Sequence, residues 1–478
     1  MKMRPGLWLL FLLLTAVSTH ADSVDDYVRG EMAKRHIPGL SLVVVKNKKI
    51  VRESNFGLAN VELDVPVNER TSFEIASMTK QFTDAAILLL AEERKLSVDD
   101  RITAYLDNLP PAWRDITIRE LMLHTSGLRD DWDDDNKYFL TNNTDGDFLR
   151  ALTAVPLYFK PGERFSYGCG PFLLGLIVQK VSGQTYAQFM QERIFAPLGM
   201  TSTHVNDAST LVRDRASGYM FEGGQLKNGV RISPAAEARG DVGIRTTALD
   251  LAKWDAAIGD EKLLQRSSWT MMFTPGKLND GTIIPVGFGW FILPMEGNVW
   301  KHGGAFRTGF NSEIDRYVDD GLTVIVLTNL RSGSNAGEIA QGIAGFYYAK
   351  YRPRAALSLQ ADVDPKRSER LRTLLVSLAA GRVEAGAASG VIAGADKLML
   401  ADGFPWGYYR QKDWDELGVK EMKSFSFLGC QDMSVQPSGF FRVMPKETCV
   451  YKIVGPSDQY VTFALTGDGK VAYIEPYE

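Results

Sequence analysis

Cysteine and histidine are scarce in this chain, and their scarcity removes whole classes of chemistry. Three cysteines (Cys169, Cys430, Cys449) and five histidines (His20, His36, His124, His204, His302) stand among 478 residues. The histidines show no metal-ligand spacing and His-Glu-x-x-His is absent, so no metal and no cofactor is implied. Gly-x-Ser-x-Gly does not occur, which disfavours an α/β-hydrolase triad. Excess positive charge is also missing: the net charge is −4, and nucleic acid is excluded as the main partner. Beyond the first residues no apolar run approaches the length of a membrane span.

The N-terminus itself reads as an export signal. Lys2 and Arg4 precede eight apolar residues, Leu7 to Leu14, and Thr19-His20-Ala21 ends in a small residue suited to cleavage before Asp22. The run is too short for a retained anchor, and no cysteine follows it to take a lipid. The expectation is a leader at 1–21 and a periplasmic or secreted mature protein. In such a compartment Cys430 and Cys449 can pair, leaving Cys169 free.

What the chain does have is an unbroken apolar helix in its first third. Neither proline nor glycine interrupts residues 74–96, and Phe82 to Leu96 is apolar over most of a helix's circumference. If the helix begins near Ser77, Lys80 lies one turn away on the same face, within reach of the serine hydroxyl. The serine sits at the positive end of the helix dipole, where a developing oxyanion is favoured. A lysine in a poorly solvated site can lose its proton and activate a serine, so the pair is a candidate nucleophile and base.

Around this stretch the pattern is of strands at both ends and helices between. A helix is expected over 24–35, then strands at 40–45 and 50–56. Further helices are expected after Ser97, over 117–123, 172–181, 185–195 and 248–258. Strands at 287–293, 298–302, 309–317 and 322–328 and a helix over 338–351 follow. One sheet assembled from both ends of the domain, with a helical region inserted, accounts for this order. Arg352-Pro353-Arg354 marks a boundary, beyond which a helix at 368–380 and strands at 422–428, 439–443, 448–454, 459–465 and 471–474 describe a small α+β domain. The domains expected are therefore 22–352 and 353–478. The acidic run Asp130 to Asp135 lacks the glycine and glutamate of a calcium loop. Trp132 and Tyr138 within it are candidates for lining a substrate cleft. His124 is expected to tie its turn together by hydrogen bonds.

Three separated segments then agree. Ser77-Met78-Thr79-Lys80, Tyr167-Gly168-Cys169 and His302-Gly303-Gly304, in that order, resemble the motifs of the serine β-lactamase and penicillin-binding-protein superfamily, above all its class C-like branch of β-lactamases, D,D-peptidases, D-aminopeptidases and esterases. His124-Thr125-Ser126-Gly127-Leu128, Phe172-Leu173-Leu174-Gly175 and Ile194 to Met200 are similar to phrases of the same branch. The resemblance covers residues 24–350. The C-terminal domain lies outside it and is only faintly similar to cystatin-like, NTF2-type modules.

The resemblance implies an α/β (α+β) β-lactamase-like fold with a central antiparallel sheet flanked by helices. It implies that Ser77 forms an acyl-enzyme, that Lys80 and Tyr167 share the acid and base work, and that His302 hydrogen-bonds near Tyr167. The oxyanion hole would be the backbone N–H groups of Ser77 and Ala305. Gly303 and Gly304 leave room for substrate, and Arg307 is a candidate for a substrate carboxylate, against the plainer reading of an outward-facing strand arginine. Cys169 departs from the pattern, because asparagine is usual there and a thiol is a weaker donor and acceptor. That departure weighs against efficient β-lactam hydrolysis or peptide cleavage more than against ester cleavage; the first expectation is an exported serine hydrolase of an ester or small D-amino-acid amide or peptide, with a β-lactamase or D,D-peptidase as the alternative. The alternative of another class is a catalytically weak, penicillin-recognising binding or sensor protein. The partner expected is a small-molecule ester, amide or peptide.

Overall fold

The computed structural model describes residues 18–129, 141–207, 210–293, 298–331, 333–352, 361–380, 418–432, 446–455 and 459–476. Most of the expected leader, the acidic run with Trp132 and Tyr138, and the expected strand at 439–443 lie outside the described residues. The described chain divides into two compact units. The first takes residues up to Thr274, Gly287–Ile292 and 298–352; the second takes Pro275–Val286, Leu293 and the residues from 361 onward.

The first unit begins with helix α1 (Ser18–Arg35), followed by β1 (Gly39–Lys46) and β2 (Lys49–Asn60), joined at Asn47 and Lys48. Both of those residues are left-handed, the geometry that two-residue hairpin turns prefer. After β3 (Val65–Pro66) the chain leaves the sheet and returns to it as β4 (Val286–Gly287), β5 (Trp290–Leu293), β6 (Val299–Phe306), β7 (Phe310–Tyr317) and β8 (Leu322–Thr328). The sheet order is β4-β5-β6-β7-β8-β1-β2-β3, so the late strands close onto the early ones through the antiparallel pair β8–β1. This is the β-lactamase-like fold expected, with the sheet built from both ends. β1 and β8 are central and buried on both faces, which is why they read as continuous apolar runs rather than alternating ones.

Between β3 and β4 lie the helices. The core one, α2 (Thr79–Glu92), buries every residue from Thr79 to Leu90. Phe82, Ile87, Leu88 and Leu90 are each at most 1% exposed, and each contributes about 1.5–3 kcal/mol of burial. Against it packs α3 (Gly170–Ser182), ended by Gly183 in the left-handed conformation. The helix expected after Ser97 is not present: only single turns form at Ile102–Ala104 and Pro111–Trp113. The reason is competition for the backbone. Ile102 N–H donates to Ile116, Ile118 N–H donates to Asp100, and Arg101 bridges Thr117, so these groups are used in a lateral pairing rather than along a helix. Helix α4 (Ala336–Tyr347) packs on β7 and β8.

The strand that lies against the turn before α2 is β6. A Cβ built on Gly304 would stand 2.0 Å from the Ile75 carbonyl oxygen and 2.9 Å from the Ser77 nitrogen. Only glycine lets the strand lie this close to the turn that begins α2. Ser312 on β7 ties the two together, its Oγ donating to the Ile75 carbonyl at 3.0 Å and lying 3.2 Å from that of Gly304.

In the second unit α5 (Pro365–Ala379) lays Leu371, Leu374, Leu375 and Leu378 on a sheet ordered β9 (Ser424–Asp432), β10 (Glu447–Val454), β11 (Gln459–Leu465) and β12 (Val471–Pro476). Cys430 and Cys449 face each other across β9 and β10 and are disulfide-bonded. Cys169 is free and buried.

Two outcomes follow. Gly304→Ala should lower stability by about 1–3 kcal/mol through overpacking, read as a lower urea midpoint; an unchanged midpoint would contradict the close approach. Denatured, unreduced protein should titrate as one free thiol per chain and reduced protein as three. Cys449→Ser should cost about 3 kcal/mol, the chain-entropy value for a loop of this size.

Candidate active site

Ser77 lies in a single 3₁₀ turn, Ala76–Met78, that leads into α2. Ala76 is held at a φ of 44°, a left-handed conformation that alanine rarely adopts. The turn is pinned from both sides. Upstream, Glu74 accepts from Arg245 at 2.7 Å and from the Thr308 hydroxyl at 2.5 Å, and all three side chains are buried. Downstream, the Thr79 hydroxyl accepts from the Ile244 N–H at 3.1 Å. Ser77 is thus presented at the junction of the sheet and the central helix.

Lys80 is one turn on, as the spacing predicts. Its Nζ lies 3.0 Å from Ser77 Oγ and 3.0 Å from the backbone carbonyl oxygen of Asp241. As an amine it can donate to the carbonyl and accept the serine proton at its lone pair. The Asp241 segment is itself fixed by a buried, two-pronged pair with Arg239, at 2.9 and 2.7 Å.

Tyr167 stands with its ring face toward the amine, the centroid 5.0 Å from Lys80 Nζ. Three further rings surround it: His124 at 4.5 Å, Phe291 at 6.0 Å and His302 at 6.1 Å between centroids. The structure therefore brings Ser77, Lys80, Tyr167 and His302 into one cluster. His124 and Phe291 join it without having been selected for it. The His124 ring was expected to bond within its own turn; instead its Nδ1 accepts from the Gly168 N–H at 3.2 Å, across to the Tyr167 segment, and the same ring packs on Tyr167. The signal that pointed to it was its place in a turn phrase; that the turn abuts Tyr167 is a tertiary fact.

The two imidazoles are neutral and are opposite tautomers. Burial, then the charge of Lys80, lowers His302 to about 3. Its Nδ1 is 2.5 Å from the Gly303 carbonyl, which can only accept, so the proton is on Nδ1 and Nε2 carries a lone pair. Burial, then Lys80 and His302, holds His124 well below the usual histidine range. Its Nδ1 accepts, so its proton is on Nε2. On the other face of β6, Lys301 pairs with Glu313 at 3.5 Å and Asp315 at 3.8 Å. Those two carboxylates raise its affinity for its proton, while burial lifts Glu313 to about 8.

The remaining sequence candidates are placed as follows. Gly303 lies against the Glu313 carboxylate, and Gly304 against the Ser77 turn. Ala305 follows them on β6 and is exposed. Cys169 precedes the first turn of α3, with its thiol donating to the Arg129 carbonyl at 3.6 Å. Arg307 is not a strand residue: it sits in the turn between β6 and β7, its carbonyl accepting from the Val230 N–H at 2.9 Å, because the ladder ends at the Phe306–Phe310 pair. Trp132 lies outside the described residues. A separate cavity of about 540 Å³, lined by Arg70, His204, Asp207 and Arg213 among others, shares no residue with the cluster.

Comparison with known proteins gives the family. The family model described as Beta-lactamase matches residues 24–345. Penicillin-binding protein 4* of Bacillus subtilis (strain 168) is 28% identical over 319 residues, covering 62% of this chain and 69% of that protein. Protein flp of Staphylococcus aureus (strain MW2) is 30% identical over 324 residues; the match covers 65% of this chain and 63% of that protein, just under two thirds of its length. The octameric penicillin-binding protein homologue from Pyrococcus abyssi shares the fold, with a TM-score of 0.63 at 22% identity over 94% of this chain and 97% of that one. The chain belongs to the Beta-lactamase family.

Proposed function

We propose that the protein is an exported serine hydrolase that cleaves an ester or a small D-amino-acid amide or peptide through an acyl-enzyme on Ser77. The observation that carries this reading is the position of Lys80 Nζ, 3.0 Å from Ser77 Oγ and 3.0 Å from the Asp241 carbonyl. Ser77 Oγ attacks the substrate carbonyl carbon while its proton passes to the Lys80 amine. The carbonyl oxygen becomes an oxyanion facing the backbone N–H groups of Ser77 and Ala305. Collapse breaks the bond to the leaving group, which takes a proton from Tyr167, and Lys80 restores that proton. Water then attacks the acyl carbon by the same route, releasing the acid and freeing Ser77.

The charge of the cleft favours a substrate without a carboxylate at the β6 side. His302 is neutral, and Lys301 is turned to Glu313 and Asp315 on the opposite face of the strand. An anionic substrate group would meet no compensating charge from either, which supports an ester or small amide over a β-lactam. Cys169, a weak donor, supports the same preference.

The test is intact-mass spectrometry after short exposure to p-nitrophenyl acetate, a penicillin and a fluorophosphonate, with Ser77→Ala and Lys80→Ala alongside. Rapid ester turnover and a fluorophosphonate adduct lost in Ser77→Ala are expected, with kcat/KM down by about 10²–10⁴ in Lys80→Ala. A stable penicilloyl adduct would favour a penicillin-recognising protein instead. No Ser77-dependent adduct with any of the three would overturn the hydrolase.

A further inference from the structure

Residues 164–167, which lead into α3, belong to no helix or strand. The place of Tyr167 is therefore set by lateral contacts rather than by a ladder. Four consecutive residues of this segment reach one partner, His124, in the turn after the helix at Ile118–Met122. The Phe165 ring meets the imidazole edge-on, 6.2 Å between centroids. The Ser166 N–H donates to the His124 carbonyl at 2.9 Å. The Tyr167 ring packs on the imidazole at 4.5 Å, and the Gly168 N–H donates to its Nδ1 at 3.2 Å. Tyr167 is thus bracketed by two hydrogen bonds that end on one residue, one on its carbonyl and one on its ring. His124 is buried and has a φ of 55°, a left-handed conformation in which histidine and asparagine are over-represented. The neighbouring ties lie outside the bracket: Gly162 N–H to the Thr125 carbonyl and Tyr158 N–H to that of Gly127, each at 2.8 Å, and the Cys169 thiol to the Arg129 carbonyl at 3.6 Å.

We propose that His124 is a positioning residue for leaving-group protonation, holding the Tyr167 phenol in place by clamping the backbone on either side of it; this rests on Tyr167 being the acid of the proposed reaction. In that step the bond from the acyl carbon to the leaving atom breaks, the electron pair stays on that atom, and the Tyr167 proton passes to it. The demand for that proton depends on the leaving group. A nitrophenolate departs as a stable anion, whereas an alkoxide needs the proton as it departs. A phenol displaced by about 1 Å can lose about 10² in rate. The clamp therefore matters most for substrates with poor leaving groups.

The experiment compares kcat/KM on ethyl acetate and on p-nitrophenyl acetate for the full chain and its variants. The two esters share the acetyl-enzyme and differ only in what leaves. In His124→Phe, which keeps a ring but offers Gly168 no acceptor, the ethyl-to-nitrophenyl ratio is expected to fall by about 10–10². In His124→Asn, whose Oδ1 takes the place of Nδ1 and which tolerates the left-handed φ, it should stay within about threefold of the wild type. In a Tyr167→Phe background the ratio should already be low and His124→Phe should lower it no further, since the two act as one unit. His124→Ala, which opens the Gly168 N–H to water, carries the test if the phenylalanine variant does not fold. Equal losses on both esters, a ratio in His124→Asn as low as in His124→Phe, or a further fall in the Tyr167→Phe background would overturn the clamp while leaving Tyr167 as the acid. An unchanged ratio in Tyr167→Phe alone would overturn Tyr167 as the acid, and a wild-type chain that cleaves neither ester would overturn the hydrolase; this inference goes with either.

Discussion

The approach of β6 to the turn at Ser77 is the constraint on which the rest of the first unit depends. A strand and a helix start can share that space only because residue 304 has no side chain, and the Ser312 hydroxyl bridges what remains. The strand belongs to the last part of the unit and the helix to its first third. They meet only if the sheet closes through β8 and β1, so the topology and the site are one requirement. The backbone at Gly304 and at Ser77, from two distant segments, is thereby set side by side.

Charge pairs that are buried or partly buried do the fine positioning. Glu74 with Arg245 lies three residues before Ser77, Arg239 with Asp241 holds the carbonyl that accepts from Lys80, and Lys301 with Glu313 and Asp315 lies beside His302. Such pairs add little net stability, because desolvation offsets attraction, yet removing one partner strands the other and is costly. Their value here is in register. Each locks a segment whose backbone the cluster needs, where apolar packing alone would tolerate small slips.

The elements legible in the sequence are those whose pattern is local. β1, β8 and α2 are continuous apolar runs because they are buried on all sides, and the Ser77–Lys80 spacing carries over directly to a 3.0 Å contact. Tyr167 and His302 were legible through motif resemblance, and the structure brings both to Lys80. What was not legible depends on partners remote in sequence. The segment after Ser97 has capping residues and apolar positions, but its backbone groups pair with residues 116–118, so no helix forms. Arg307 reads as a strand residue until the ladder with β7 is seen to end before it. Phe291 and Asp241 carry no motif at all, and their relevance lies only in what the fold sets beside Tyr167 and Lys80.

In the proposed reaction the same neighbours would let one lysine serve as base and then as acid. His124 and His302 are both neutral, and each is kept so first by burial and then by Lys80. Two cationic imidazoles would have opposed any proton arriving on the amine. Neutral ones leave the cluster able to accept a single positive charge when Ser77 gives up its proton. The Tyr167 ring face, 5.0 Å from Nζ, then attracts the new ammonium, and the Asp241 carbonyl accepts from it. In the proposed reaction the proton would arrive beside an aromatic face and a fixed dipole, next to the phenol proposed to protonate the leaving group. Opposite tautomers complete the arrangement: His124 presents an N–H at Nε2 and His302 a lone pair at Nε2. The rings packed around Tyr167 thus carry one free N–H and one free lone pair without adding a charge.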